Sequence, residues 1–163
     1  MTADASFARL SGYTLIELVV TVAIVGLLAA IALPTAELAV QRSREQDLKL
    51  ALREIRSGLD AYKQAYDEGR IARKLGESGY PPALSALVEG VADAQSAQQR
   101  KLYFLRRIPR DPMMRDPSVP AERTWGLRSY ASDADAPHEG ADVFDVYSKA
   151  DGTGLDGVPY RRW

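Results

Sequence analysis

The chain has 163 residues, of which 46% are hydrophobic and 26% are charged, a composition typical of one globular domain with an added segment. Its 21 basic and 22 acidic residues leave a net charge of −1, so it has no surplus of positive charge to hold a phosphate backbone, and nucleic acid is excluded as a main partner. The chain has no cysteine, which excludes disulfides, thiol nucleophiles and cysteine-based zinc sites. Its single histidine, His138, leaves little for a histidine-based catalytic or zinc site.

The first predicted element is an uncharged apolar run from Leu18 to Leu33. As a helix, residues 13–33 would span about 31 Å at about 1.5 Å per residue, which matches the hydrocarbon core of a bilayer. The run lacks the polar stripe of a surface helix, so we predict that it is buried in lipid or protein. Cleavage as an ordinary secretory signal is disfavoured, because the apolar run is followed by Pro34 and a long helical pattern.

An acidic residue, Glu17, lies at the start of this run, where an ionised carboxylate in hydrocarbon costs about 2.5–3.5 kcal/mol. Two explanations stay open. In the first, Thr14 and Glu17 form a capping box that satisfies backbone N–H groups at the helix start. In the second, the carboxylate waits for a positive partner, such as the N-terminal ammonium of a neighbouring subunit. That pairing would fix the register between subunits in a medium of low dielectric constant.

The segment 12–17, which reads GYTLIE, and the apolar run after it resemble the class III signal of type IV prepilins and pseudopilins. In that family a membrane aspartyl protease, the prepilin peptidase, cuts after the glycine and N-methylates the next residue. The resemblance therefore implies cleavage after Gly12 and methylation of Tyr13, where the family usually has phenylalanine. It also implies that Glu17 and Pro34 take part in the assembly of subunits.

The same resemblance implies how the chain is organised and where it resides. Residues 1–12 would be the cleaved leader, 13–33 a transmembrane and polymerisation helix, 34–68 its amphipathic continuation, and 69–163 a periplasmic globular domain. The chain would cross the bacterial inner membrane once. Basic residues after the span would by themselves favour the opposite topology. The processing motif requires the leader on the cytoplasmic side, and we follow the motif.

The predicted helix continues beyond Pro34, which we expect to kink or locally melt it. An apolar stripe then recurs at steps of three and four residues and predicts a helix face that packs on its own domain. Its members are Leu48, Leu52, Ile55, Leu59, Tyr62 and Tyr66. Arg56 is predicted to face outward, and the pattern ends at the Asp-Glu-Gly sequence of 67–69.

Prolines divide the rest of the chain into short elements. A short helix is predicted over 83–88, a second apolar segment over 102–108, and helical or irregular chain between them, over 89–100. Alternating aromatic and β-branched residues over 125–130 and 142–148 predict antiparallel strands. The predicted fold class is α+β and type IV pilin-like, with a long N-terminal helix packed on a small antiparallel β-sheet and followed by a C-terminal loop.

The C-terminal half also resembles the major pseudopilin of type II secretion systems. The signs are Tyr80-Pro81, the segment 108–112 (IPRDP), Trp125-Gly126 and the segment 144–148 (FDVYS) before an Asp/Gly loop. An insertion at 113–123 separates two elements that usually lie close together. The resemblance implies a structural, non-enzymatic subunit of a helical homopolymer, the pseudopilus, that drives protein export across the outer membrane. It also implies other pseudopilins, an assembly ATPase and an inner-membrane platform protein as partners.

The C-terminal loop, residues 148–157, combines Asp151 and Asp156 with glycines. Carboxylate and carbonyl oxygens are the ligands that calcium prefers, although Asp-Gly pairs more often form tight turns. Major pseudopilins carry a structural calcium ion in the matching loop. The resemblance therefore implies calcium here, with Asp151 and Asp156 as side-chain ligands and Ser148 and the carbonyl of Leu155 as helpers. Such an ion would order the loop.

Three other functions stay open on the sequence. The chain could be a type IV pilin of a surface fibre, which the absence of cysteine disfavours because such pilins commonly close their C-terminal region with a disulfide. It could be a non-polymerising, membrane-anchored calcium-binding domain, which would not need Glu17 or the cleavage motif. A membrane-anchored hydrolase is disfavoured because its candidate acids lack a paired base or a nucleophile motif. Those acids are Asp133, Asp135, Asp142 and Asp145.

Overall fold

The computed structural model describes residues 13–98 and 100–163, except for the side chains of Ile31, Leu33 and Pro34. The predicted leader, 1–12, and with it the predicted cleavage residue Gly12, lies outside the described residues. The chain divides into two compact units, Met1–Gln41 and Arg42–Trp163, and each is described by itself.

The long helix α1 comprises Leu15–Asp67, and the boundary between the units falls within it. It begins after Thr14, whose hydroxyl oxygen accepts the N–H of Glu17 at 3.3 Å. The helix includes position 34, so the predicted local melting there does not occur. A proline removes one backbone hydrogen bond, and nearby Ser and Thr side chains help a helix to tolerate that loss. Next to the proline, the Thr35 hydroxyl donates to the Ala32 carbonyl at 2.8 Å, within the preceding turn.

Within the first unit, α1 exposes its apolar side chains. Leu15 is 82% exposed, Leu18 61% and Leu27 66%. The hydroxyl of Thr21 donates to backbone carbonyls of the preceding turn, which satisfies the polar group inside the apolar run. In the described part of the chain, α1 is the one helix long and apolar enough to cross a membrane. A continuous apolar surface of this kind needs lipid or protein to cover it.

The remaining elements are short and belong to the second unit. Helix α2 comprises Ala86–Glu89, and the four strands are β1 (Val91–Ala92), β2 (Lys101–Leu102), β3 (Trp125–Arg128) and β4 (Asp145–Ser148). Among the described residues, β1 pairs with β2 and β3 with β4, both antiparallel, as two separate sheets. The strands predicted over 125–130 and 142–148 are thus confirmed. The prediction for 89–100 missed β1, because a strand of two residues is too short to show a periodic pattern.

The core of the second unit is built on the C-terminal part of α1. Five members of the predicted apolar stripe are buried, and the sixth, Tyr66, packs partly buried against them. The five are Leu48, Leu52, Ile55, Leu59 and Tyr62. Leu87 of α2, Trp125 of β3 and Val146 of β4 are fully buried in the same core. The periodicity of the helix therefore predicted its buried face correctly.

The β3–β4 sheet explains why glycine follows Trp125 in the sequence. Gly126 lies opposite Tyr147, and a Cβ added to Gly126 would lie 2.3 Å from the Tyr147 ring. Any side chain at position 126 would therefore overlap this ring. The neighbouring Trp125 is fully buried, and its indole N–H donates to the carbonyl of Pro109 at 2.8 Å. This bond joins the segment 108–112 to β3.

Candidate functional site

The N-terminal end of α1 contains the residues predicted to act in processing and assembly. Tyr13 is 83% exposed and Glu17 is exposed. The hydroxyl of Thr14 caps the helix through the backbone N–H of Glu17, which is one half of the predicted capping box. Among the described residues the Glu17 carboxylate has no hydrogen-bond or ion-pair partner. The cap therefore leaves this carboxylate available, and its role in assembly stays a prediction.

The four residues predicted as calcium ligands have different environments. Ser148 is fully buried at the end of β4, and its hydroxyl donates to Asp111 Oδ2 at 2.6 Å. Asp156 accepts the N–H of Val158 through Oδ1 at 3.0 Å. Asp151 and Leu155 are exposed.

The calcium prediction requires these four residues to converge. Calcium takes six to eight oxygen ligands, so several carboxylates and carbonyls must converge on one point. Within residues 13–98 and 100–163 no group of three or more acidic or histidine side chains could hold a metal ion. The hydroxyl of Ser148 is already bound to Asp111. Calcium binding at this loop therefore stays a prediction.

The C-terminal loop is instead held by charged residues of α1. Glu45 is 7% exposed, and its Oε1 accepts the N–H of Leu155 and the hydroxyl of Tyr160, both at 3.0 Å. One turn further along α1, the ammonium of Lys49 lies 3.6 Å from Asp156 Oδ2 and 4.1 Å from the centre of the Trp163 ring. These contacts reach both ends of the 155–163 segment.

Arg56 completes this set of contacts, and its predicted outward position is wrong. The guanidinium donates from Nε to Asp145 Oδ1 at 2.8 Å, and from Nη2 to the carbonyl oxygens of Val146 at 3.1 Å and Trp163 at 2.7 Å. Steps of three and four residues place Arg56 beside the buried stripe, where a long side chain can reach across the edge of the core. We call Glu45, Lys49 and Arg56 together the C-terminal clamp.

The clamp supplies what the calcium ion was predicted to supply, which is order in the C-terminal loop. Fixing one residue of an otherwise flexible loop costs about 1–2 kcal/mol of backbone entropy, so a loop of this length needs several specific contacts. Sequence patterns did not reveal the clamp, because charged side chains beside an apolar stripe are usually solvated. The position of Glu45 three residues before Leu48, at the edge of the stripe, was the one available signal.

A second buried carboxylate, Asp111, joins the middle of the second unit to β4. Asp111 is fully buried; its Oδ2 accepts the hydroxyl of Ser148 and its Oδ1 accepts the N–H of Met113 at 2.8 Å. Its own N–H donates to the Thr124 hydroxyl at 3.1 Å. These bonds surround the 113–123 insertion, so its two ends are held to the core. Sequence reasoning missed this role, although Asp111 lies in the IPRDP segment.

Two of the acidic residues of the hydrolase alternative, Asp133 and Asp142, bind backbone N–H groups. Asp142 Oδ1 accepts the N–H of Tyr130 at 2.8 Å, and Asp133 Oδ1 accepts the N–H of Asp135 at 3.1 Å. Ser132 Oγ lies 3.1 Å from His138 Nδ1, but the same oxygen accepts the backbone N–H of His138 at 2.8 Å. The serine is 7% exposed and closes its own loop. This pair therefore has the geometry of a turn.

We expect Glu45→Ala to release the C-terminal loop. The substitution removes the acceptor of two hydrogen bonds, one from the Leu155 N–H and one from the Tyr160 hydroxyl, and the loss of each bond costs about 0.5–1.5 kcal/mol. Hydrogen exchange of the Leu155 amide should become at least about tenfold faster. Glu54→Ala is the matched control, because Glu54 is an exposed glutamate of the same helix. Equal exchange in both variants would contradict the assignment of Glu45 to the clamp.

The fold and these sites together define a class of protein. A long N-terminal apolar helix followed by small antiparallel sheets is the α+β, type IV pilin-like fold. The family named prokaryotic N-terminal methylation motif matches residues 8–33. This match supports a type IV pilin-like protein, a structural class whose members are processed and assembled as pilins are. The apolar helix is consistent with membrane anchoring. Comparison with curated proteins and with solved structures found no match.

Proposed function

We propose that this chain is a structural, non-enzymatic subunit of a type II secretion pseudopilus, closest to the major pseudopilin. The observation that carries the proposal is the match to the methylation motif at 8–33, which includes the start of a helix whose apolar side chains are exposed. A surface of this kind suits a subunit that is stored in a membrane and then assembled through the same helix. The subunit would reside in the bacterial inner membrane with its C-terminal domain in the periplasm.

Assembly would follow from the chemistry of the N-terminus. In the precursor the nitrogen of Tyr13 is part of a peptide bond, so a positive charge arises there only after cleavage at Gly12. Methylation keeps that charge. The Glu17 carboxylate of a neighbouring subunit would then pair with it in a medium of low dielectric constant, where such a pair is strong and specific in register. Each subunit would therefore become competent to assemble only after processing by the prepilin peptidase.

The role in secretion rests on the second unit. The segments that resemble the major pseudopilin contribute its core contacts, namely the bond from the Trp125 indole to Pro109 and the approach of Tyr147 to Gly126. Other pseudopilins, an assembly ATPase and an inner-membrane platform protein are the partners that follow from this role. The C-terminal clamp would hold the loop in place for subunit contacts, with or without the predicted calcium ion.

The test of this function is intact-mass and N-terminal analysis of the protein extracted from membranes of cells with and without the prepilin peptidase. We expect a chain that begins at N-methylated Tyr13 only in the presence of the peptidase. A chain that still begins at Met1, or one cut after Ala32, would contradict the proposal. Deletion of the gene then separates two roles: loss of exported proteins from the medium supports the pseudopilus, whereas loss of surface fibres with normal export would favour a type IV pilin.

A further inference from the structure

Four arginines line one cleft of the second unit, which has a volume of about 780 Å³. They come from distant parts of the chain: Arg56 from α1, Arg128 from β3, and Arg161 and Arg162 from the 3₁₀ turn Tyr160–Arg162. Tyr147, Trp163 and the loop 134–137 form the rest of the wall. The fold therefore gathers guanidinium groups and aromatic rings that the sequence keeps apart.

The acidic residues of the cleft leave part of this set of guanidinium groups without a hydrogen bond. Asp145 is bound to Arg56 Nε at 2.8 Å and to the N–H of Val146 at 2.8 Å. Its other oxygen lies 3.9 Å from Arg128 Nη1, which is beyond hydrogen-bond distance. Arg128 Nε is itself buried without an acceptor in the described part of the chain. A buried N–H of this kind is uncommon in folded proteins.

The two arginines of the 3₁₀ turn are free to bind a ligand. Arg161 and Arg162 are exposed, and neither side chain makes a hydrogen bond or an ion pair within residues 13–98 and 100–163. Besides Asp145, one further carboxylate, that of Asp135, lines the cleft. The side chains that line the cleft thus carry four guanidinium groups and two carboxylates, in a protein whose net charge is −1.

We propose that this cleft binds an acidic peptide segment of a partner protein. The planar fork of a guanidinium suits a carboxylate, which it can bind through two parallel hydrogen bonds. A volume of about 780 Å³ lies within the range of ordinary ligand sites and accommodates a few residues of extended peptide. The carboxylates of Asp135 and Asp145 in the wall disfavour a compact dianion such as phosphate. Carboxylates spread along a peptide can each approach an arginine.

The test uses the full chain in detergent and a fluorescently labelled hexaglutamate peptide, with hexaglutamine as the uncharged probe, at low ionic strength. We expect hexaglutamate to bind in fluorescence anisotropy and hexaglutamine not to bind. The double variant R161Q/R162Q should weaken hexaglutamate binding by about tenfold or more. Arg128→Gln, on another wall of the cleft, is expected to weaken it as well. Weaker hexaglutamate binding by this variant would be a second, independent indication of the same site.

The matched control is R106Q/R107Q, which changes a second exposed pair of consecutive arginines in the same unit, outside the cleft. It removes the same net charge, so a general electrostatic attraction would weaken equally in both double variants. We expect R106Q/R107Q to change the affinity by less than about twofold. Equal losses in the two variants, no binding of hexaglutamate, or its displacement by inorganic phosphate at equal concentration would each overturn the proposal.

Discussion

Asp111→Ala should lower the free energy of unfolding of the second unit by about 2–4 kcal/mol. The substitution removes the carboxylate that accepts hydrogen bonds from the Ser148 hydroxyl and the Met113 N–H. Both donors then lose their hydrogen bond to position 111. For a domain of this size the loss corresponds to a fall in melting temperature of about 8–16 °C. The fluorescence of Trp125, which is fully buried, reports the transition.

Asp116→Ala is the matched control for this prediction. Asp116 also precedes a proline, and its Oδ1 accepts the N–H of Ser118 two residues later, as Asp111 does with Met113. The Ser118 hydroxyl and N–H lower the pKa of Asp116, so this side chain also forms a stable local turn. It is exposed and has no bond to β4, and we expect little change in melting temperature. An equal fall in melting temperature in the two variants would show that Asp111 stabilises the protein only through its local turn.

Glu17→Ala should leave processing intact and prevent assembly. Removing one partner of a buried ion pair costs about 3–5 kcal/mol, because the other charge stays buried without compensation. That cost corresponds to about a 100-fold or greater loss of association at each subunit contact. The measurement compares the amount of cross-linked multimer of the subunit in intact cells, by immunoblot, with the mass of the N-terminus in the same cells. Cleavage after Gly12 and methylation of Tyr13 should both persist.

Glu37→Ala controls for the loss of an acidic residue on the same helix. Glu37 is exposed in the first unit and lies beyond the apolar run, away from the cleavage motif. We expect filaments of this variant to form in normal amounts. Normal filaments from Glu17→Ala would contradict the pairing with the neighbouring N-terminus and leave the Thr14 cap as the sufficient explanation of the motif. Loss of cleavage in Glu17→Ala would show that the residue acts in recognition by the peptidase.

Local periodicity predicted the parts of the fold that depend on neighbours along the chain. The apolar run, the buried stripe from Leu48 to Tyr62 and the strands β3 and β4 all follow from repeats of about 3.6 or 2 residues, because each repeat fixes which side chains share a face. The methylation motif could also be recognised from the sequence, because its residues are consecutive. A two-residue strand such as β1 has no repeat and was missed.

Contacts between distant segments decided the rest. Arg56 lies beside the buried stripe and looks like any solvated charge on α1, yet it binds Asp145 and the carbonyl of Trp163. Glu45 likewise reaches Leu155 and Tyr160, more than 100 residues away. No local pattern encodes such pairs, because their members are far apart in the sequence and meet only in the folded chain.

The two Asp-Pro pairs show where the limit lies. Asp111 and Asp116 have the same following residue and make the same turn bond, so the sequence by itself determined that both would begin turns. Only the tertiary structure decided that Asp111 is buried against Ser148 while Asp116 stays exposed. The physical reason is that burial of a carboxylate is tolerated only where enough hydrogen-bond donors meet it, and for Asp111 the Ser148 hydroxyl of β4 adds a donor to the local N–H of Met113.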